Sequence, residues 1–320
     1  MKPAQFWQAL ALAFIAFTAA ALISPLIGSA HVDFARAFQG LSPDREILVF
    51  ARIPRTLLAL LAGGGLAVTG VLFQAILRDS LAEPYTLGIS SGASAGAVAA
   101  ICFGWNTWLS SGMGALAVLA LVLLLALENR RLSPFTLLLA GVTMNFVAVA
   151  FIVTLNSLSN IGQSFTITRW LMGGLDASEY GPLLPLALVI LPVTGLLLWR
   201  ARDWNLLSIG EDWAASRGMS STRLVLIGYL AGSLLTAAIT AITGPISFVG
   251  LLVPHALRLK FGADHRILIP CSFLFGGAFL AICDMIARTV LTPMELPVGV
   301  ITAFIGGPFF IWLLRRRQLR

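Results

Sequence analysis

Charge is scarce in this chain. Asp, Glu, Lys and Arg make up 11% of its 320 residues, against roughly 25% in ordinary soluble domains. Lysine is rarer still, at positions 2 and 260 alone. No G-x-x-x-x-G-K-[ST] run exists, so the chain carries no P-loop with which to hydrolyse ATP. Its three cysteines, Cys102, Cys271 and Cys283, fall within apolar stretches at no metal-ligand spacing, which argues against a disulfide framework or a metal site. Titratable groups inside apolar stretches are almost missing. Asp284 is the one carboxylate well within such a stretch, and Arg288, one turn later, is its expected partner. That scarcity weighs against a carrier driven by protons or sodium, which needs buried coordinating groups.

What is abundant is apolar sequence, 58% of the residues. A hydrocarbon core about 30 Å thick needs ~20 apolar residues in a helix, the form that satisfies every backbone group within one segment. Candidate spans lie at 6–27, 56–77, 88–105, 112–127, 135–158, 181–199, 222–242, 246–257, 267–287 and 299–314. The expected fold is therefore an all-α integral membrane protein of about ten transmembrane helices, filling residues 1–320 as one domain. The span at 246–257 is too short to cross unaided and should lean on irregular backbone. The first run exceeds the ~7–15 residues of a signal-peptide core and reads as a retained helix.

The net charge of +7 sits at span ends, without the aromatic interleaving of a nucleic-acid surface. With a cytoplasmic N-terminus the inner side holds 15 Lys and Arg and the outer side 6, so the positive-inside rule puts both termini in the cytoplasm. Glycines 88, 92 and 96 repeat at four-residue spacing and should let helices approach closely. Breaks at Gly244-Pro245 and Gly306-Gly307-Pro308 need protein or a water-filled cavity around their freed backbone groups.

Two loops could carry function. Residues 201–221 are too polar to span. Ser208 and Gly210 suit a helix start, Glu211 and Asp212 its positive end, Arg217 its last turn and Gly218 its stop. The segment is either an interfacial helix anchored by Trp204 and Trp213 or a docking element for a cytoplasmic partner. On the outer side, Arg52-Ile53-Pro54-Arg55 opens a span with two cations against the positive end of the helix dipole. They anchor headgroups, or they await acidic groups, of which Glu46 is a local candidate. Gly88-Ile89-Ser90-Ser91-Gly92 also fits the G-x-S-x-G nucleophile elbow, so an intramembrane serine hydrolase is a further alternative.

The motifs together resemble one family. Arg52-Ile-Pro-Arg55-Thr, Gly70 to Gln74, Leu81-Ala-Glu-Pro84, Leu87-Gly-Ile-Ser-Ser-Gly-Ala93 and Trp170-Leu-Met-Gly-Gly174 appear in order. They are followed by Gly244-Pro-Ile-Ser-Phe-Val-Gly-Leu-Leu-Val-Pro-His255, Arg258, Asp264-His-Arg266, Asp284 and Glu295-Leu-Pro-Val-Gly299. The chain resembles the FecCD-type permease subunits of ATP-binding-cassette importers for iron-siderophores, haem and cobalamin.

The resemblance implies a bacterial inner-membrane permease of the type II importer fold, without enzymatic activity of its own. It implies a second permease subunit (a homodimer), two cytoplasmic ABC ATPases carrying the ATP and Mg, and a periplasmic substrate-binding protein. By motif match Arg52, Arg55 and Arg288 would meet acids on the binding protein. Ser208, Gly210, Glu211, Asp212, Ala215 and Gly218 would form the coupling helix seated in the ATPase. The fifth and tenth spans would line the pathway, with Thr143, Met144, Asn145, Asn156 and Thr302 as candidates. The sequence does not choose among siderophore, haem and cobalamin.

Overall fold

The computed structural model describes residues 3–128, 131–175, 180–210, 213 and 216–318. Twelve helices are numbered here, preceded or joined by short turns: α1 (Pro3–Ile23), α2 (Ile53–Leu77), α3 (Ile89–Phe103), α4 (Thr107–Ala126), α5 (Pro134–Leu158), α6 (Ile161–Leu171), α7 (Leu183–Trp199), α8 (Ala201–Ile209), α9 (Ser221–Thr243), α10 (Val249–Phe261), α11 (His265–Thr289) and α12 (Val298–Gln318). The only strand pairing among the described residues is a two-residue bridge, Leu127 with Leu132 and Glu128 with Arg131, that closes the turn between α4 and α5. The all-α expectation stands.

Every expected span contains a helix, but not every helix is long enough to cross alone. Among the described residues six helices have the length and apolar character to do so: α1, the helix ending in α2, α4, α5, α9 and α11. A seventh arises if α7 and α8, bent by 63°, are one broken span. Helix α3 and the apolar part of α12 are shorter, and α10 has 13 residues. Residues 161–171, read from sequence as outer loop, instead form α6. Its Asn160–Gln163 capping box satisfies backbone donors at both positions.

Burial sorts the long helices into a hub and a rim. The crossing window that ends in α2 is 89% buried, whereas that of α1 is 22% buried. Rim helices α4 and α5 turn large apolar side chains outward, among them Leu124, Phe146 and Val153. A contiguous surface of that kind suits lipid or a partner subunit. The hub is built by close backbone approach rather than by bulk. A Cβ on Gly63 would stand 2.3 Å from the Gly276 carbonyl oxygen of α11, and one on Gly70 would stand 1.7 Å from the Gly250 oxygen of α10. Three successive glycines weaken a helix in water, but between helices in lipid they allow the packing and the Cα–H contacts that drive association.

The repeat at glycines 88, 92 and 96 divides in two. Gly92 and Gly96 face Gly114 and Ser110 of α4, while Gly88, at φ +75, starts α3 against Gly141 of α5. The break before α10 is equally definite. Gly244 (φ +64) ends α9, and Phe248 takes a left-handed φ of +68 as the N-cap of α10. Its ring lies on Gly306 of α12, where a Cβ would come within 2.3 Å. Irregular backbone here packs against protein at Gly244 and Phe248 and borders a cavity at Pro245 and Ser247.

Candidate functional site

Three places bring polar chemistry together, and α11 touches two of them. The first lies at the outer end, named from the charge asymmetry. Arg55 donates from Nε to Asp284 Oδ1 at 2.9 Å and from Nη1 to Glu295 Oε2 at 2.6 Å. Asp284 is fully enclosed and also pairs with Arg288, its Oδ2 lying 3.0 Å from Nε. Arg288 donates onward to the Ser24 hydroxyl at 2.9 Å. Arg52 turns to backbone instead, reaching the carbonyls of Pro25, Leu26 and Ala30. Two guanidiniums, Arg55 and Arg288, therefore pair with two carboxylates, and Arg52, held by backbone carbonyls, adds its positive charge close enough to act on Arg288. The local acid is not Glu46, which stays exposed, but Glu295 from 240 residues away. Sequence separation hid that pairing.

Burial bears on the docking expectation. Arg52 is 6% and Arg288 3% exposed, so both guanidiniums are enclosed in this arrangement. Burial of these two follows from the enclosing carbonyls, Asp284 and Ser24, which replace water around each charge. Arg55 keeps 15% side-chain exposure and Glu295 32%. Partial burial pushes the Glu295 carboxyl up, but Arg55 and the Ser29 hydroxyl outweigh it and hold the group below its usual range.

The second place is a cavity of about 780 Å³ between α5 and α12. Asn145 lines it, with Tyr85, Ser91, Ser94, Ser247 and Phe304. Its walls are otherwise apolar, from Val149 and Ile152 on one side to Val300 on the other. Of the five residues expected in the pathway, only Asn145 is among those lining this cavity. Thr302 is fully buried and donates to the Gly299 carbonyl at 2.9 Å. Thr143 is exposed and bonds back to Leu139, and Met144 packs against the core. Asn156 is half-buried near the end of α5, with no hydrogen bond to its Oδ1. Thr143, Met144 and Asn145 diverge because consecutive residues on a helix point about 100° apart. The serines escaped notice because Gly88 to Gly92 already had a packing role.

Ser90, the elbow candidate, is 1% exposed and faces Thr240 Oγ1 at 3.5 Å. A hydroxyl this enclosed, facing threonine across a helix contact, gives a substrate no access. Beside the cavity, Glu83 occupies the connection between α2 and α3 and bonds the backbone of Phe248 at the break before α10. Burial pushes its carboxyl up to about 7, the Phe248 bond opposing, and its Oε2 has no partner. The unfolded chain binds fewer protons than the folded one between pH 4.5 and about 7, so folding stability falls as pH rises through that window. Glu83→Gln should flatten the fall and stabilise the protein at pH 8 by on the order of 1–3 kcal/mol. Thermal unfolding in detergent at pH 5 and pH 8 reads this; equal pH profiles for wild type and variant would refute it.

The third place is the inner end. Helix α8 continues α7 around the 63° bend because Ala201, Trp204 and Leu207 face inward along one stripe. Trp204 is fully buried, its indole N–H donating to the Leu197 carbonyl at 3.0 Å. It is a core residue and not an interfacial anchor. Ser208 sits inside α8 and bonds back to Asn205, and Gly210 ends that helix. Glu211, Asp212 and Ala215 lie outside the described residues; Trp213 and Ser216 are helical and Gly218 has φ +76. Asn205 ties this segment to α11. It donates to Asp264 Oδ1 at 2.8 Å and accepts from the His265 backbone N–H at 2.8 Å. Hydrogen bonds from Arg266 hold the Asp264 carboxyl well below its usual range.

Residues 14–316 match the FecCD transport family. The chain belongs to that family. The hemin transport system permease protein of Yersinia pestis is 35% identical over 312 residues, covering 94% of this chain and 93% of its own. A vitamin B12 import system permease protein of Escherichia coli O139:H28 is 37% identical over 282 residues, 85% of each chain. A solved transporter described as of the metal-chelate ABC type, in an inward-facing conformation, matches with a TM-score of 0.85 and 31% identity over 97% of this chain and 99% of its own. This FecCD chain is thus an ABC transporter permease, a multi-pass membrane protein that transports rather than catalyses. It works with an ATPase and a substrate-binding partner.

Proposed function

We propose that this permease imports a bulky metal chelate or corrinoid across the bacterial inner membrane, as one half of a homodimer. The cavity of about 780 Å³ carries the proposal, because it combines apolar walls with a few neutral hydroxyl and amide groups. Such a lining suits a large ligand passed on without direct coordination of its metal. Relatives named for hemin and vitamin B12 support the same ligand class. The cavity is bordered by α5 and α12, whose outward apolar faces suit a second copy that closes it from the far side.

Two cytoplasmic ATPases would act through residues 208–218, and a periplasmic binding protein would dock at the outer end around Arg52, Arg55 and Arg288. ATP binding draws the ATPases together, and their motion tilts helices between two discrete packings, opening the cavity to each side in turn. Net uptake against a gradient requires the nucleotide states to prefer different packings by a few kcal/mol. Inside-out or oriented proteoliposomes containing the complex with its ATPase and binding protein provide the test. Uptake of haem, a ferric siderophore or cobalamin should require ATP and the binding protein together. Uptake driven by an ion gradient in their absence would overturn the reading and revive a secondary carrier.

A further inference from the structure

Arg55 holds two carboxylates of different character. Asp284 is fully enclosed and shared with Arg288, so it cannot leave without stranding a buried charge. Glu295 is the exposed member, 32% accessible at its side chain, and it sits on the non-helical connection between α11 and α12. Its other hold is one hydroxyl, Ser29 Oγ at 3.1 Å. The outward Nη1 of Arg55 meets Glu295, while its Nε and Nη2 meet Asp284. One face of the guanidinium is thus permanently engaged and the other is satisfied by a removable group.

The surroundings suit an incoming carboxylate. A second cavity, of about 210 Å³, is lined by Arg55, Thr168, Arg169, Glu295 and Pro297. Arg169 therefore brings another guanidinium to the same recess, and it comes from α6, the helix that the sequence reading left as loop. Arg55 and Arg288 are matched by Asp284 and Glu295, and Arg52 adds a further positive charge nearby, its hydrogen bonds going to backbone carbonyls. Met172 borders both this recess and the central cavity.

We propose that Glu295 is an internal stand-in for an acidic side chain of the binding protein, which displaces it from Arg55 on docking. The inference rests on the proposal that a soluble binding protein docks at this end. Docking is then an exchange of carboxylates, in which one charge-assisted hydrogen bond replaces another of like strength. The exchange frees the connection that runs directly into α12, whose Val300 and Phe304 wall the central cavity. A resident competitor also weakens docking, because its contact must be given up first.

The test measures association of the binding protein with the permease–ATPase complex, in wild type and in Glu295→Gln. The amide keeps the volume and the acceptor for Ser29 but loses the charge that competes for Arg55. Affinity should rise roughly five- to tenfold, with a steeper dependence on salt because the recess gains one positive charge. Ser29→Ala, which changes no charge and only loosens Glu295, should raise affinity by about twofold. A purely structural Glu295 would give weaker binding in both variants, and unchanged or weaker affinity in both overturns the exchange. If wild type imports with its binding protein while Glu295→Gln binds no tighter, the exchange alone fails. If wild type shows no binding-protein dependence, the importer reading fails and the exchange falls with it.

Discussion

Asp284→Ala should cost the protein about 3–5 kcal/mol of stability, enough to lower its thermal midpoint in detergent by many degrees. The reason is geometric. Asp284 is fully buried between the Arg55 and Arg288 guanidiniums, and its removal leaves Arg288, 3% exposed, with hydroxyl and carbonyl acceptors but no counter-charge. Desolvated cations without a carboxylate are the costliest outcome of a single substitution in a core. Asp284→Asn retains an acceptor and should fall between the two. Removing Arg288 as well, in Asp284→Ala/Arg288→Met, should recover part of the loss, since an apolar side chain then fills a site with one less charge. Scanning fluorimetry across the four proteins decides it; a midpoint for Asp284→Ala within a degree of wild type would sink the claim.

Gly70→Ala is expected to prevent assembly of the hub. A Cβ there would lie 1.7 Å from the Gly250 carbonyl oxygen, a backbone atom with no rotamer by which to yield. To restore ordinary contact α2 and α10 must separate by more than about 1 Å, opening a gap along a packed seam. Gly195→Ala in α7 meets nothing within 4 Å and serves as the control; it should be neutral, or gain a few tenths of a kcal/mol from helix propensity. Yield of monodisperse protein by size exclusion separates them. Equal recovery of both variants would show that the seam gives way more readily than its geometry allows.

Legibility followed the kind of signal involved. Apolar blocks located a helix at every expected span because lipid demands both length and composition there. The Gly244-Pro245 break was readable from two residues whose backbone preferences are strong. Residues 161–171 were not, since α6 is polar enough to pass for loop and its capping box lay outside the apolar pattern. At the site, identity was easier to read than direction. Arg52 and Arg55 stand out in the sequence as a pair, yet one turns into backbone carbonyls and the other onto Asp284 and Glu295. Nothing in their spacing records a partner 240 positions away. Ser91 and Ser94 line the cavity from a stretch whose glycines explain its packing equally well.

Helix α11 joins two of the polar places. Asn205 grips its first turn through Asp264 and His265, and Asp284 and Arg288 lie near its far end. Pro270 interrupts the hydrogen bonding close to the gripped end and offers a natural pivot. From Pro270 to Asp284 the helix runs about 21 Å at 1.5 Å per residue. A swing of about 10° at that pivot carries the carboxylate sideways by roughly 4 Å over such a lever. That stroke exceeds the 2.9 Å separating Asp284 from the Arg55 Nη2. A swing of that size would therefore have to break the buried Asp284–Arg55 pair, whose enclosure holds α11 against bending at Pro270.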